Sequence, residues 1–249
     1  MPTPKISIIT VVYNGASLIE ATIKSVLDQT YSSIEYIVVD GQSKDNTLEI
    51  VNRYSNRITK IISEKDSGIY DAMNKGLKLA TGDYVLFLNA GDLLYDSSTI
   101  STVFASSANA DIYYGNTAVI DLNGSILGDR RLLPPDDLNW KSLKYGMCVS
   151  HQSFIPKRLL CDFYNLDYKI SSDIDWVIKA LKESKKTVNT NLYISKFLEG
   201  GTSNKRRKLA LKERFAIMVK HYGLITTLWT HFVILLRYPI HRLTKKSMT

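Results

Sequence analysis

The carboxylates of Asp40, Asp66, Asp92, Asp173 and Asp175 stand where a chain of this pattern can use them. Asp66 and Asp92 belong to the run SEKDSGIYDAMNKGLKLATGDYVLFLNAGD, from Ser63 to Asp92. It reads as a strand end, an acidic turn, a helix, a second apolar strand and a lone carboxylate just past that strand. In an open parallel sheet, ligands bind beyond the carboxyl ends of the strands, so both aspartates fall on the ligand side. That is the geometry of a site for a phosphorylated ligand and a metal. Magnesium and manganese take oxygen ligands, commonly one or two protein carboxylates plus substrate phosphates. Asp92 suits that role, or else it caps the helix that follows.

Asp66 precedes Ser67-Gly68 and lies outside the helix, which makes a ligand role credible. Asp71 falls in the first helical turn, where the dipole favours a carboxylate whatever its function. Asp40 ends another strand and faces the same crevice as Tyr13 and Asn14. A carboxylate there accepts hydrogen bonds from a nucleotide base or ribose, with Tyr13 stacked on the base. The alternative is a turn aspartate bonding its own backbone, a common use of Asp before Gly. Asp173 and Asp175 lie two apart at a helix start and cannot share one face. A general base must sit within hydrogen-bond reach of the proton it removes, so one of the pair points to the site and the other to solvent. His151, in VSHQSF, has a polar neighbour and no second histidine at ligand spacing, which suits a structural or substrate-contacting role.

The elements that must position these groups alternate. ISIITVV (Ile6 to Val12) is a continuous β-branched run, the pattern of a strand buried on both faces. Leu18, Ile19, Ile23, Val26 and Leu27 then form a helical stripe. EYIVVD (Glu35 to Asp40) is the next strand, and Asp45 is the expected N-cap of the helix TLEIVNRYS. ITKIIS (Ile58 to Ser63), the helix GIYDAMNKGLKLA closed by Gly82, and DYVLFLN (Asp83 to Asn89) follow. Strand and helix alternate with short links from Ile6 to Asn89, which predicts a right-handed, doubly wound, mainly parallel α/β sheet with helices on both faces. From Asp111 the pattern changes to a hairpin with Asn123-Gly124 as its turn signal. LPPDDLNW reads as a loop, residues 141–170 as a helix, a strand and a loop, and SSDIDWVIKALKESK as an amphipathic helix with Ser171 or Ser172 near its N-cap. A short strand-like segment precedes the Gly-rich basic loop GGTSNKRRK, and the remainder is helical.

Length and composition set limits. The 249 residues, 45% hydrophobic, suffice for a sizeable core. MPTPKISIITVV enters a strand without a secretory pattern, and Cys148 and Cys161 have no metal-like spacing, so reduced thiols in a cytoplasmic protein are expected. The net charge of +8 is unevenly placed: Lys205 to Thr249 holds 11 Lys/Arg against Glu213 alone, whereas the first 204 residues hold 21 against 23 acids. A nucleic-acid enzyme carries positive charge around its working surface, so nucleic acid is not the expected partner. A basic tail on a near-neutral body suits docking to an anionic surface. LITTLWTHFVILLRYPIHRLTKK, interrupted by His231, Arg237 and Pro239, falls short of the roughly 20 apolar residues that span a bilayer. Trp229, Tyr238 and the flanking cations fit a helix lying on an anionic leaflet. The competing reading is an amphipathic helix packed on the body or on a second subunit of a homo-oligomer.

Taken together, ISIITVVYN, VVDGQSKDNT, EKDSGIYDAMNKG and FLNAGD resemble the donor half of the family 2 glycosyltransferases. The later VSHQSF, YKISSDIDW and LEGGTSN are similar to the branch that includes the bacterial colanic-acid and related surface-polysaccharide enzymes. The resemblance covers roughly residues 5–204 in order. It implies a GT-A-type fold, with residues 1–115 as the donor half, 116–205 as the acceptor and catalytic-base half, and 206–249 as a basic amphipathic helical tail. It implies an inverting hexosyltransferase that takes a nucleotide-diphosphate sugar, a UDP-sugar being the expected donor, to a lipid-linked saccharide acceptor, working peripherally on the inner face of the cell membrane. By position, Tyr13 and Asp40 hold the base, Thr10 and Val11 line its pocket, and Asp66 contacts the nucleoside or sugar, with Asn74 on the same side. Asp92 matches the aspartate that binds a divalent metal, Mg or Mn, with Asn89 beside it. Asp173 matches the catalytic base and Asp175 is a second candidate. His151, Gln152 and the loop carrying Gly201 and Ser203 shape the acceptor side or close over the diphosphate.

The sequence departs from the family pattern twice: the acidic metal motif is reduced to Asn89-Ala90-Gly91-Asp92, and the usual Glu-Asp pair is Ser172-Asp173. A catalytically silent nucleotide-sugar-binding or scaffolding protein is the competing expectation. A nucleotidyltransferase ranks low because TVVYNGAS lacks a Gly- and basic-rich phosphate loop, and a dehydrogenase lower, because no GxGxxG follows the first strand.

Overall fold

The computed structural model describes residues 3–200 and 206–245. The apolar runs form β1 (Ile6–Val12), β2 (Ile34–Asp40), β3 (Lys60–Ser63) and β4 (Tyr84–Phe87), all parallel, in the order β3-β2-β1-β4. Between them run α1 (Ile19–Leu27), α2 (Thr47–Asn52) and α3 (Ile69–Leu79). Successive side chains of a strand point to opposite faces. Ile9, Val11, Ile37, Val39 and Phe87 therefore pack with Tyr70, Met73 and Leu77 of α3, while Ile6, Ile8, Val38 and Leu86 pack with Ile19, Ile23 and Val26 of α1. Gly76 allows the close approach of α3, since a Cβ there would lie 2.4 Å from Ile9 Cγ2. Asp45 performs the expected capping from one residue further out, its Oδ1 accepting the Thr47 amide at 3.1 Å.

The buried Glu35 shows how this fold treats a carboxylate with no chemistry to do. It accepts from Ser7 Oγ at 2.6 Å and from the Thr81 amide and hydroxyl, each at 2.7 Å. Burial raises its pKa, but the bonds from Ser7 and Thr81 and the Lys5 charge outweigh that and hold it at about 2. Ser7 Oγ also accepts the Gly82 amide at 2.9 Å, so the cluster ties β1 to the turn before β4, at the end of the sheet away from the site.

The second half, where the sequence pattern changes, forms a sheet of its own. β5 (Leu93–Leu94), β6 (Ile112–Ile120), β7 (Ile126–Asp129), β8 (Phe154–Pro156) and β9 (Thr187–Leu198) form a mixed sheet ordered β5-β9-β6-β7, with β8 on β6. Only the β6–β9 pair is parallel. The hairpin at Asn123-Gly124 is the expected one, joining β6 to β7. The segment read as a short strand is the twelve-residue β9. Its burial follows no alternation, because register shifts interrupt its pairing with β6. Helix α4 (Thr99–Ala105) lies between β5 and β6, and 3₁₀ turns at Trp140–Tyr145, His151–Ser153 and Arg158–Leu160 flank β8.

Three helices complete the chain: α5 (Ser172–Glu183), α6 (Arg207–Tyr222) and α7 (Leu224–Lys245). The expected tail from residue 206 is not a separate appendage. Ala210, Glu213, Ile217 and Met218 of α6 are buried, and Ile217 belongs to the same core cluster as Trp176 and Ile178 of α5. Tyr222 stacks on Trp140 with ring centroids 5.4 Å apart.

An ionic clasp joins α5 to α6. Asp175, buried to 1% exposure, accepts from His221 Nε2 at 2.8 Å and Lys220 Nζ at 3.0 Å, with Lys179 Nζ at 3.3 Å. Asp175, the second candidate for the base and expected on the acceptor side, is thus committed to α6 and faces neither the site nor solvent. Burial raises its pKa, but His221, Lys220 and Lys179 outweigh that and hold it well below the usual carboxylate range. A depressed carboxylate stabilises the fold above its unfolded pKa, and that contribution is lost as the pH falls. We expect Asp175→Asn to lower the unfolding free energy by about 2–3 kcal/mol at pH 7, below the value for a fully buried pair because Lys220 is 44% exposed. Urea titrations should show the gap to the wild type narrowing from pH 5 to pH 3.

Candidate active site

The crevice opens beyond the carboxyl ends of β1, β2 and β4. On its β1–β2 side, Asp40 is fully buried, accepting from Ser63 Oγ at 2.6 Å and from the Ser43 amide at 3.1 Å. That is the turn-aspartate geometry, and it shapes the floor of the crevice. Tyr13 is 58% exposed. A Cβ at Gly41 would lie 2.2 Å from Asp66 Oδ2 and 3.3 Å from Tyr13 Cδ2, so an aromatic ring, a bare backbone and a carboxylate meet on one wall. Asp66 Oδ1 accepts the Gly68 amide at 2.9 Å, which orients the group. Asp71 accepts the Ser67 amide at 2.8 Å, as a first-turn aspartate should.

Some expected members of this wall turn away from it. Thr10 is fully buried with its hydroxyl 3.1 Å from Tyr36 OH, and Val11 packs into the core on the α3 side. Their side chains line no pocket, because a strand inside a two-faced sheet directs every side chain into one core or the other. Asn74 donates to Tyr164 O at 3.0 Å and accepts the Tyr164 amide at 2.7 Å. Both ends of its amide hold the 160s loop to α3, which replaces the expected donor contact.

The first turn of α3 leads to the second part of the crevice, where the two halves of the chain meet. Asp92 is buried; its Oδ2 accepts Gln152 Nε2 at 2.8 Å and its Oδ1 the Leu198 amide at 3.2 Å. Burial pushes its pKa up to about 6, partly offset by those two donors. Next to Gln152, His151 places Nε2 3.3 Å from Asn89 Nδ2 and Nδ1 3.6 Å from Asp173 Oδ2. Asp173 is 20% exposed, its Oδ1 accepts the Ile174 amide at 3.0 Å, and Tyr70 OH approaches the same oxygen at 3.3 Å. Burial raises the Asp173 pKa, but the bond and charge of His151 and the charge of Arg214 outweigh it and keep the value below normal. Asp173 is thus an ionised carboxylate at neutral pH, partly open to the crevice. The fold brings Asn89, Asp92, His151, Gln152 and Asp173 together. Gly201 and Ser203 lie outside the described residues.

One residue that sequence reasoning did not single out stands behind Asp173. Glu213 of α6 accepts the amides of Lys169 at 2.7 Å, Ile170 at 2.9 Å and Ser171 at 2.9 Å, at the start of α5. Its sequence signal was its isolation as the single acid from Lys205 to Thr249.

Among the described residues, no three His, Cys, Asp or Glu side chains gather as a metal cluster. The donors at the end of β4 nonetheless suit a hard cation completed by phosphate oxygens. They are the Asp92 carboxylate and Asn89 Oδ1, which is buried and has no hydrogen-bond partner.

A parallel α/β half joined to a mixed sheet is an architecture of GT-A type. The model of the family described as Glycosyl transferase family 2 matches residues 7–161, and the chain belongs to that family. It is 33% identical over 215 residues to the PGL/p-HBAD biosynthesis glycosyltransferase of Mycobacterium bovis, covering 82% of this chain and 81% of the relative. It is 28% identical over 195 residues to the Escherichia coli UDP-Glc:alpha-D-GlcNAc-diphosphoundecaprenol beta-1,3-glucosyltransferase WfgD, covering 77% and 76% of the two chains. The fold is similar to that of S. aureus TarS in complex with UDP-GlcNAc, with a TM-score of 0.71 and 20% identity over 88% of this chain and 68% of that one. It is likewise similar to the mannosyltransferase PcManGT from Pyrobaculum calidifontis in complex with GDP-Man and Mn2+, with a TM-score of 0.68 and 18% identity over 96% and 73%. The protein is a glycosyltransferase.

Proposed function

We propose that the protein is an inverting hexosyltransferase that moves a sugar from a UDP-sugar to a hydroxyl of a saccharide carried on a lipid diphosphate, in surface-polysaccharide assembly. The observation that carries this reading is the convergence of Asp92 and Asp173 on one crevice, linked by Gln152, His151 and Asn89. The UDP-glucose donor and diphosphoundecaprenol acceptor in the name of WfgD, and the UDP-GlcNAc bound to TarS, support the choice of substrates.

In this reading, Tyr13 stacks on the nucleotide base and Asp66 bonds the nucleoside or sugar, above the floor that Asp40 holds. Asp92 and Asn89 would hold a divalent cation, Mg or Mn. When bound, the cation supplies Lewis-acid neutralisation of the departing diphosphate. The Asp173 carboxylate takes the proton of the acceptor hydroxyl as that oxygen attacks the anomeric carbon. The new carbon–oxygen bond forms opposite the breaking bond to the diphosphate, which leaves with its electron pair, and configuration inverts. His151 keeps Asp173 ionised and aimed, and Gln152 orients Asp92, a role in place of the acceptor contact expected for it.

Helix α7 supports association with the cytoplasmic face of the cell membrane. Its polar Thr227 and Thr230 are buried, whereas Ile225 is 85% and Trp229 62% exposed, with Leu224, Leu228 and Phe232 also outward. The usual amphipathic order is reversed, so the apolar stripe is free for an interface. Among the described residues, no helix is long and apolar enough to cross a membrane. The positive charge from Lys205 onward favours an anionic leaflet.

Asp173→Asn should reduce turnover about 10²–10⁴-fold while leaving UDP binding by calorimetry unchanged; normal turnover would remove Asp173 as the base. Asp92→Ala should abolish cation-dependent nucleotide binding, and an unaltered titration with Mn2+ and UDP would sink that assignment. A chain ending at Gly223 should lose sedimentation with phosphatidylglycerol vesicles yet keep activity on a water-soluble acceptor. Equal pelleting of both chains would refute the membrane role of α7.

A further inference from the structure

A carboxylate of α6 reaches back some forty residues to the backbone before Asp173. Asp173 lies in the first turn of α5, and the backbone immediately before that turn is held from outside the helix. Both oxygens of Glu213 are used: Oε1 accepts the Lys169 amide, and Oε2 accepts the amides of Ile170 and Ser171. Glu213 is buried and makes no ion pair among the described residues, so three consecutive N–H groups are what offset its charge. A buried carboxylate is retained only where such donors replace water, and a helix N-terminus favours a negative charge. The same stretch also aims Tyr70, whose hydroxyl donates to Ile170 O at 2.7 Å and approaches Asp173. Arg214, the next residue of α6, is exposed, and its charge lowers the Asp173 pKa.

We propose that Glu213 is a positioning residue for the transfer reaction: by fixing the Lys169–Ser171 backbone it sets the direction of the Asp173 carboxylate toward the acceptor hydroxyl. Helix α6 is then part of the catalytic centre and not an accessory to the basic tail. The inference rests on Asp173 being the base.

Glu213→Gln tests it, because a side-chain amide keeps the size but turns one oxygen into a donor. That donor would face an N–H, so either the Lys169 bond or the Ile170 and Ser171 bonds are lost. A misplacement of about 1 Å can cost about 10²-fold in rate, and we expect kcat to fall at least tenfold, with the KM for donor and the affinity for UDP unchanged. Lys220→Met, which weakens the Asp175 clasp between the same two helices, is the control for a purely structural effect. It should lower the Tm by at least as much as Glu213→Gln while leaving kcat within about twofold. Equal losses of kcat in the two variants, or an unchanged kcat in Glu213→Gln, would overturn the positioning role. Asp173→Asn measured alongside keeps the readings apart. If it is inactive while Glu213→Gln is normal, only the positioning fails; if it is active, the base assignment fails first.

Discussion

A parallel sheet has to be buried on both faces, and the rest of this molecule follows from that requirement. Its strands have no polar face to give to water, so each contributes alternate side chains to two separate cores. Polar chemistry is pushed to the strand ends, where the backbone turns and side chains are released from the alternation. Both parts of the crevice are built there: Tyr13 and Gly41 at the ends of β1 and β2, and Asn89 and Asp92 after β4. Thr10 and Val11, one turn of the pleat earlier, are lost to the cores.

The carboxylates show a second constraint. Burying a charge is costly unless donors replace its water, and the fold meets that condition in different ways. Glu35 and Asp40 are surrounded by hydroxyls and amides, Asp175 by cations, and Glu213 by three backbone amides. In all four, the oxygens are engaged by donors inside the protein. Asp173 differs because its Oδ2 faces only His151, at 3.6 Å, and part of its surface is open. Asp92 differs because its surroundings leave the charged form under-supported, as its raised pKa records. Carboxylates of this kind, poised and incompletely satisfied, are what an active site requires.

The first half was legible from the chain alone because its elements are consecutive and strongly periodic. Four apolar runs, three amphipathic segments and short links leave few alternatives to a doubly wound sheet. The second half was less legible. β9 carries Asn, Lys and Thr among its apolar residues, and its pairing shifts register against β6, so no period of two survives to be read. The site shows the same division: Asp92 and Asp173 lie at recognisable places in recognisable runs, whereas the uses of Asn74, Asp175 and Glu213 depend on partners 42 to 90 residues away.

By itself, then, the sequence determined the α/β class, the family, and the short list of carboxylates at the strand ends and the start of α5. Tertiary structure decided which of those carboxylates remain free. Hydrophobic periodicity reports that a residue is buried, not what it is buried against. Asp173 and Asp175 are two residues apart on one helix, and only the docking of α6 separates them. It closes His221 and Lys220 over Asp175, sets Glu213 under the backbone that carries Asp173, and leaves Asp173 facing the crevice.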